Sequence, residues 1–468
     1  MMPILYWFKN DLWLHDNEGL YRTVGMGKQV LCVYCIDPNA YSDLELGFRK
    51  ADEVRHQFLL QCLGDVRNQL QDMGGSLLVV QGSPSAELPK FVDRYQISAI
   101  FAEEEHAEEE LKMVGKVKNA LPKTCDIHLY WGRTMYHQDD IPYSMAAIPL
   151  VSKTYRIKTT KETKVRECLP QINVIDFYPI ADYGELPKFW DMVTSDIDLV
   201  ETEPFVKGGE REALKRLQYY FYETEKLTAY KWTRNKSLGM DYSSKFSPYL
   251  ALGCISPRYI YHEVKKYEEQ TKKKHGTWWF LFQLVCRDYF IFRHMRVGTK
   301  FYAKHGFKGK KVGFEDSKEP FERRCEGKTG IPFVYAHMRK LNATGYMGNR
   351  GRVNYASFLI HDYKVDWRWR AAYFESKLID YDVSVNWMNW HMQAFEIWYT
   401  NPIYQSYKYK EQEYIRKWLP KLAELDDRQV LMPWEFDIQN YPKPGQVYAK
   451  WQRSINTIKK TLSKTKPT

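Results

Sequence analysis

The sequence predicts an α/β doubly wound, parallel-sheet N-terminal domain followed by an all-α C-terminal domain. Three observations carry that reading. Short apolar runs alternate with helical patterns in the first part of the chain, and from GGEREALKRL (208–217) onward the pattern turns helical throughout. The length, 468 residues, also exceeds what one ordinary core encloses, so two or three domains are expected.

The strand candidates are ILYWF (4–8), VLCVYCI (30–36), SLLVVQ (76–81), AIFA (99–102) and DIHLYW (126–131). Between the second and third, Val54, Phe58, Cys62, Val66 and Leu70 recur every four residues, which sets one apolar stripe on a helix able to cover a sheet. Right-handed crossovers then give a doubly wound domain over 1–135. No GxGxxG follows the first run, so a nicotinamide-type phosphate loop is not supported there. Residues 136–205, rich in Pro, Asp and short polar runs, read as a long connection wrapped on the surface, and 206–468 as the helical domain. The basic end KKTLSKTKPT reads as a frayed tail.

Composition narrows the class. No stretch approaches the length that spans a bilayer, and the N-terminus MMPILYWFKND passes into a strand without a basic leader or cleavage site. A cytosolic protein is expected, with the nucleus as the alternative, and no membrane association. The eight cysteines form no disulfide framework; Cys32 and Cys35 lie inside an apolar run and read as reduced packing residues rather than a redox pair. The twelve histidines show no metal-ligand spacing, so no metal is expected. Lys and Arg exceed Asp and Glu by 69 to 58, a net +11 that favours a polyanion through phosphate attraction, or simply a phosphate-bearing cofactor. Aromatic residues make up 16% of the chain and lie mostly after residue 205, as core filler or as the walls of a flavin or nucleobase pocket.

The motifs decide more. WFKNDLWLHDN (7–17), YKWTRN (230–235), DYSSKFSPYLALGCISPR (241–258), CRDYF (286–290), TGYMGNRGR (344–352), DWR (366–368) and LIDYDVSVNWMNW (378–390) occur in the order of the cryptochrome/photolyase family. The chain resembles that family along almost its whole length, and the Tyr-Ser-Ser-Lys-Phe-Ser-Pro wording with Asn-Arg-Gly-Arg resembles its DASH branch. The resemblance implies FAD in the helical domain. Ser243, Ser244, Lys245, Phe246 and Ser247 match the segment that holds the FAD phosphates, where a hydroxyl-rich loop entering a helix favours an anion; an N-cap cluster is the plainer alternative. Tyr230 is placed to help, and Arg287 and Asn349 belong to the same implied set. Asp380 and Asp382, beside an apolar stretch, need partners if half buried. The resemblance supplies Arg352 for Asp380 and sets both aspartates near the isoalloxazine and ribityl chain. Asn386 matches the position facing flavin N5.

Trp390 and Trp367 match the first two tryptophans of the family's electron relay, with simple core packing as the alternative. The third position is Phe314, so the relay is truncated, and Trp369, Tyr373 or another aromatic is the candidate substitute. Four lesion-pocket positions depart from a repair enzyme. Gln283 stands for the acidic residue, Cys286 for the stacking tryptophan, Val353 for Met or Gln, and Met392 for an aromatic. Losing a stacking aromatic forfeits about 1–3 kcal/mol per base, and an amide does not replace a carboxylate. Tyr335 stands where the family has Asp, without an evident consequence. Arg234, Asn349 and Arg350 remain at DNA-contact positions, so binding of single-stranded or non-specific DNA or RNA is expected to survive.

In AEEEHAEEE, Glu105 aligns loosely with the glutamate that holds a folate antenna, methenyltetrahydrofolate, in DASH relatives; a solvated helix start is the alternative. The leading expectation is a monomeric blue-light receptor with light-driven flavin reduction and an unidentified signalling partner. Its rival is a DASH-type photolyase repairing cyclobutane pyrimidine dimers, mainly in single-stranded DNA. A non-photochemical flavin or nucleic-acid binder is the third class. Any signalling surface belongs to the folded domains, since no long tail follows them.

Overall fold

The apolar runs become one five-stranded, all-parallel sheet in the order β3-β2-β1-β4-β5, with β1 Ile4–Phe8, β2 Val30–Ile36, β3 Leu77–Gln81, β4 Ala99–Glu103 and β5 Asp126–Tyr130. The structure, a computed structural model, describes residues 2–186, 204–314, 329–397, 399–436, 438–439 and 441–462. In the centre, every residue of β1 is buried, as a strand covered on both faces must be, and its sequence accordingly does not alternate. Tyr6 pairs in register with Cys32 on one side and Phe101 on the other. The crossovers are α1 (Glu18–Val24), α2 (Glu53–Asp72), α3 (Pro84–Tyr95) and α4 (Glu108–Ala120). Val54, Phe58, Cys62, Val66 and Leu70 all face the core from α2. Because the chain leaves β1 toward β3 and returns beside β1 as β4, a crevice opens at the carboxyl ends of these two strands.

The stretch after β5 corrects one expectation. It contains a helix, α5 (Ser152–Glu162), whose Tyr155 is fully buried against Tyr289 and Phe292. Only Tyr155 and Thr159 of α5 are buried, so the helix carries too few apolar residues to show a period. Beyond it, Phe177 runs parallel to Val30 and presses its ring onto Gly75, where a Cβ would meet it at 2.1 Å. Positions 187–203 of the predicted connection and 463–468 of the predicted tail lie outside the described residues.

The remainder is helical: α6 (Glu210–Gln218), α7 (Lys226–Thr233), α8 (Ser247–Ala251), α9 (Pro257–Thr271), α10 (Thr277–Val297), α11 (Pro332–Thr344), α12 (Asn349–Ser357), α13 (Trp367–Lys377) and α14 (Val383–Phe395), with further helices out to Leu462. The His-Asp-Asn turn after β1 fastens the two layers together. Asp16, in the left-handed region at φ 51°, receives two bonds from the Arg258 guanidinium at 2.9 and 3.0 Å and one from Ser256 at 2.5 Å. Glu210 accepts from the Leu14 and His15 amides at 2.8 and 3.0 Å. Asp288 of α10 accepts from the amides of Met135 and Tyr136. Side chains far apart in sequence thus satisfy backbone donors that a loop alone would bury unpaired.

Candidate functional site

Between α7, α8, α10, α12 and α14 lies a cavity of about 350 Å³. Its floor is the loop Tyr242–Phe246. The Arg216 side chain takes the carbonyls of Ser244 (2.9 Å) and Ser243 (3.1 Å) and pairs with Asp241 at 2.8 Å. Across a trans peptide the N–H points opposite to the C=O, so the Ser244 and Lys245 amides are turned away from Arg216. Neither has an acceptor among the described residues. Lys245 holds the left-handed conformation at φ 64°, costly for a lysine and typical of a functional loop. The residue is 2% exposed, and its ammonium donates to the Ser243 hydroxyl at 3.1 Å and lies 3.0 Å from the Tyr242 ring centre. Burial pushes it well below the ordinary lysine value, and the neighbouring Lys340 pushes the same way. Lys340, also buried, is itself driven down to about 7 by burial. The Lys245 ammonium, the two amides and the serine hydroxyls form a donor set that fits a diphosphate, with Lys340 adding positive charge behind Lys245.

At the other end Arg352 donates one terminal nitrogen to both oxygens of buried Asp380, at 2.8 and 2.6 Å, and its Nε to the Met347 carbonyl at 2.7 Å. Asp382 is buried rather than half-buried, and caps α14 through the Val385 amide at 3.1 Å. Burial alone would raise its carboxyl, but Arg287 at 3.3 Å and Arg133 at 3.7 Å hold it below the usual range. Arg287 also donates to the Leu250 and Arg133 carbonyls.

Of the residues singled out from sequence, the structure brings Tyr230, Ser243, Ser244, Lys245, Phe246, Ser247, Arg287, Asn349, Arg352, Asp380 and Asp382 to this cavity. It does not bring Asn386. That side-chain amide donates to the Ala371 carbonyl at 2.9 Å, and the wall is Val385 and Asn389, which share the neighbouring face of α14. Arg234, Gln283 and Cys286 line the cavity, with the Cys286 thiol pushed up to about 11 by burial. Val353 and Met392 are half-buried and off its wall. Arg350 is occupied by Asn235 at 3.0 Å, Gln405 at 3.4 Å and the Tyr409 ring. Tyr335 lies against Tyr441.

Trp390 is buried edge-on to Phe374 (5.1 Å) and Tyr355 (6.2 Å), and Trp367 is fully buried with its N–H on the Lys304 carbonyl at 3.1 Å. Phe314 touches Phe395, which touches Trp367. Sequence reasoning missed Arg133, Arg216, Lys340 and Asn389. Only Asn389, one turn from Val385, carried a local signal.

A second, larger cavity of about 950 Å³ opens at the carboxyl edge of β1 and β2. Glu105 lines it, ahead of α4 rather than on a solvated helix start: it is buried, paired with Lys9 at 3.2 Å and Arg133 at 3.6 Å, and accepts from Asn10 at 2.9 Å. Burial pushes its carboxyl up, but Lys9 and Arg133 win and hold it down. Arg133 therefore links both cavities, since it also reaches Asp382.

Comparison with known proteins agrees with this geometry. Residues 4–173 match the DNA photolyase family model, and 280–461 the FAD binding domain of DNA photolyase. Cryptochrome DASH of Gloeobacter violaceus is 37% identical, with 92% of this chain and 88% of that protein covered. The tomato (Solanum lycopersicum) relative, "Cryptochrome DASH, chloroplastic/mitochondrial", is 35% identical over 90% of this chain and 77% of its own. A crystal structure of a Synechocystis cryptochrome superposes with a TM-score of 0.88 at 35% identity, covering 98% of each chain. The archaeal photolyase of Sulfolobus tokodaii, solved with two FAD molecules, shares the fold at a TM-score of 0.77 and 24% identity, covering 99% of this chain and all of that one. With its parallel sheet, its helical FAD-binding domain and these relatives, the chain belongs to the cryptochrome/photolyase family and is a cryptochrome DASH-like flavoprotein.

Proposed function

We propose that this protein is a blue-light photoreceptor that holds FAD in the helical-domain cavity, draws electrons through Trp390 and Trp367, and binds nucleic acid without efficient dimer repair. One observation carries the reading: within a single cavity the anion-facing donors are complete while the lesion-facing wall is not. Tyr230, Ser243, Ser244, Lys245 and Ser247 would hold the diphosphate, and Arg352, Asp380, Asp382 and Arg287 the sugar chain and ring. Phe246, Asn349 and the Asn389 amide of α14 complete the enclosure. When bound, FAD supplies blue-light absorption and electron acceptance. The chain pairs Asp380 with Arg352, and Asp382 with Arg287 and Arg133, which hold the Asp382 carboxyl below its usual range.

Repair asks more: the flipped lesion must be stacked and hydrogen-bonded beside the cofactor. Gln283 and Cys286 provide neither carboxylate nor aromatic wall, and Val353 and Met392 do not supply them. Binding asks less. Arg234 at the rim lies over the Trp279 ring, and beside it stand exposed Trp232, stacked on His275 at 4.6 Å, and exposed Trp278. This basic, aromatic rim supports contact with single-stranded DNA or RNA, with Asn349 and Arg350 as further contacts.

The second cavity supports an antenna near Glu105, and methenyltetrahydrofolate is our candidate. The photolyase of Sulfolobus tokodaii is described as implying a novel light-harvesting cofactor, which gives such a site precedent in the fold. We divide the chain into 1–135, 136–205 and 206–468. No helix among the described residues is long and apolar enough to cross a membrane; we place the protein in the cytosol. The test is the absorption spectrum of the purified protein before and after blue light, with and without a reductant. A flavin spectrum that bleaches reversibly is expected. A flavin spectrum that light leaves unchanged rejects the photoreceptor, and robust dimer repair by the reduced, illuminated protein restores the photolyase reading.

A further inference from the structure

Phe314 leaves the electron relay without a third oxidisable ring in its family position. A benzene ring is hard to oxidise and has no acidic proton to lose, and among the described residues Trp367 reaches Phe314 through another phenylalanine, Phe395. Trp367 has a different indole neighbour. Trp387, on α14, meets it edge to face at 5.8 Å and 81°, a packed aromatic contact. The Trp387 ring is half-buried and opens on the second cavity. Its Nε1–H already donates to Glu375 Oε2 at 3.2 Å.

Glu375, from α13, is the other half of the arrangement. It is buried, and desolvation pushes its carboxyl above the ordinary value despite the opposing charges of Lys50, 3.9 Å away, and Arg55. Tyr381 also hydrogen-bonds it. A carboxylate so placed is a better proton acceptor than one in water.

We propose that Trp387 is the outer residue of the electron relay and that Glu375 accepts its N–H proton. The inference rests on the light-driven reduction proposed above. Bound FAD would supply the electron acceptor; an electron lost from Trp390 would be replaced from Trp367, and that from Trp387. The electron vacancy then rests on Trp387 as an indole radical cation, a strong N–H acid. Its proton passes along the existing hydrogen bond to the Glu375 carboxylate, leaving a neutral indolyl radical and a neutral carboxyl group. Return of the electron now requires return of the proton, so the separated charge survives longer. A thiol reductant entering the second cavity gives back one electron, and Glu375 gives back the proton.

The test is flash spectroscopy of the FAD-loaded protein, with a nitroso spin trap and peptide mass spectrometry to locate the radical. In the unmodified protein the long-lived species is a neutral indolyl radical and the trap adduct maps to Trp387. Trp387→Phe loses both. Trp387→Tyr, which keeps an oxidisable ring, replaces the signal with a tyrosyl radical. Glu375→Gln leaves a radical cation that recombines faster, and acidification through the raised Glu375 value does the same to the unmodified protein by filling the acceptor. An undiminished neutral radical in Trp387→Phe, or a trap adduct on Trp369 or on Tyr302, whose ring meets Trp387 at 4.9 Å, overturns the proposal while leaving light-driven reduction intact. Loss of any effect in Trp390→Phe as well overturns the photoreceptor reading itself. Should Trp387→Phe fail to hold flavin, Glu375→Gln still decides, because a spectrum and lifetime unchanged by that variant exclude Glu375 as the acceptor.

Discussion

The two cavities carry similar residue types and opposite charge bookkeeping. In the helical domain, Lys245 of the cavity floor and Lys340 behind it are buried without a carboxylate in contact among the described residues, and both are driven below their ordinary values. At the sheet edge, Lys9 and Arg133 are equally buried but meet Glu105 and Glu103. An unpaired buried cation is expensive, so the first cavity is built for an anion that arrives later, whereas the second is neutralised before anything enters. Residue type alone does not separate a binding site from a structural ion network. The presence or absence of the counter-charge does.

The comparison can be broken most decisively at Asp380. Asp380→Ala strands the half-buried Arg352 guanidinium, a loss of at most the roughly 3–5 kcal/mol of a fully buried pair, and FAD should be lost on gel filtration; Arg352→Ala should do the same. Stoichiometric FAD with an unchanged unfolding midpoint in both variants would mean that the pair does not belong to the flavin site. Glu105→Gln is the matching cut in the second cavity. Its shape survives but an acceptor for Lys9 and Arg133 weakens, so denaturant unfolding should show a loss of about 1–3 kcal/mol with FAD retained. Equal loss of flavin in both cavities' variants would erase the distinction between them.

Rebuilding the lesion wall tests the same cavity from its incomplete side. Gln283→Glu together with Cys286→Trp should recover measurable repair of a dimer in single-stranded DNA, because a stacking ring contributes about 1–3 kcal/mol per base. No recovery would shift the defect to Val353, Met392 or the shape of the pocket.

The smallest effect is a pH slope. Burial pushes the folded Lys340 ammonium down to about 7, below the roughly 10.4 of an unfolded lysine. Between those values the unfolded chain binds a proton that the folded one does not, so stability rises with pH across that window and falls as pH drops toward 7, by at most about 1.4 kcal/mol per unit. Flavin-free protein should show this slope, and Lys340→Met or added FAD should flatten it. A slope that is the same with and without FAD would remove Lys340 from the anion site.

Sequence by itself determined the fold class, the order of the strands' apolar runs, the flavin-binding family and most of the cavity wall, because each of those is written in residues close together along the chain. Periodicity set β1 to β5 and α2, and the Ser-Ser-Lys-Phe-Ser and Asp-Tyr-Asp segments carried their side chains into the pocket as units. It did not determine that α5 is a helix, since Tyr155 is anchored by Tyr289 and Phe292 rather than by a stripe of its own. Nor did it show which face of α14 forms the wall, which set Asn389 there in place of Asn386. Arg133 on Asp382, Arg216 under the serine loop, Lys340 behind Lys245 and Trp387 against Trp367 were decided only by the tertiary structure. Charge and ring contacts act through space over a few ångströms, and no local pattern records which distant segment the fold will bring within that reach.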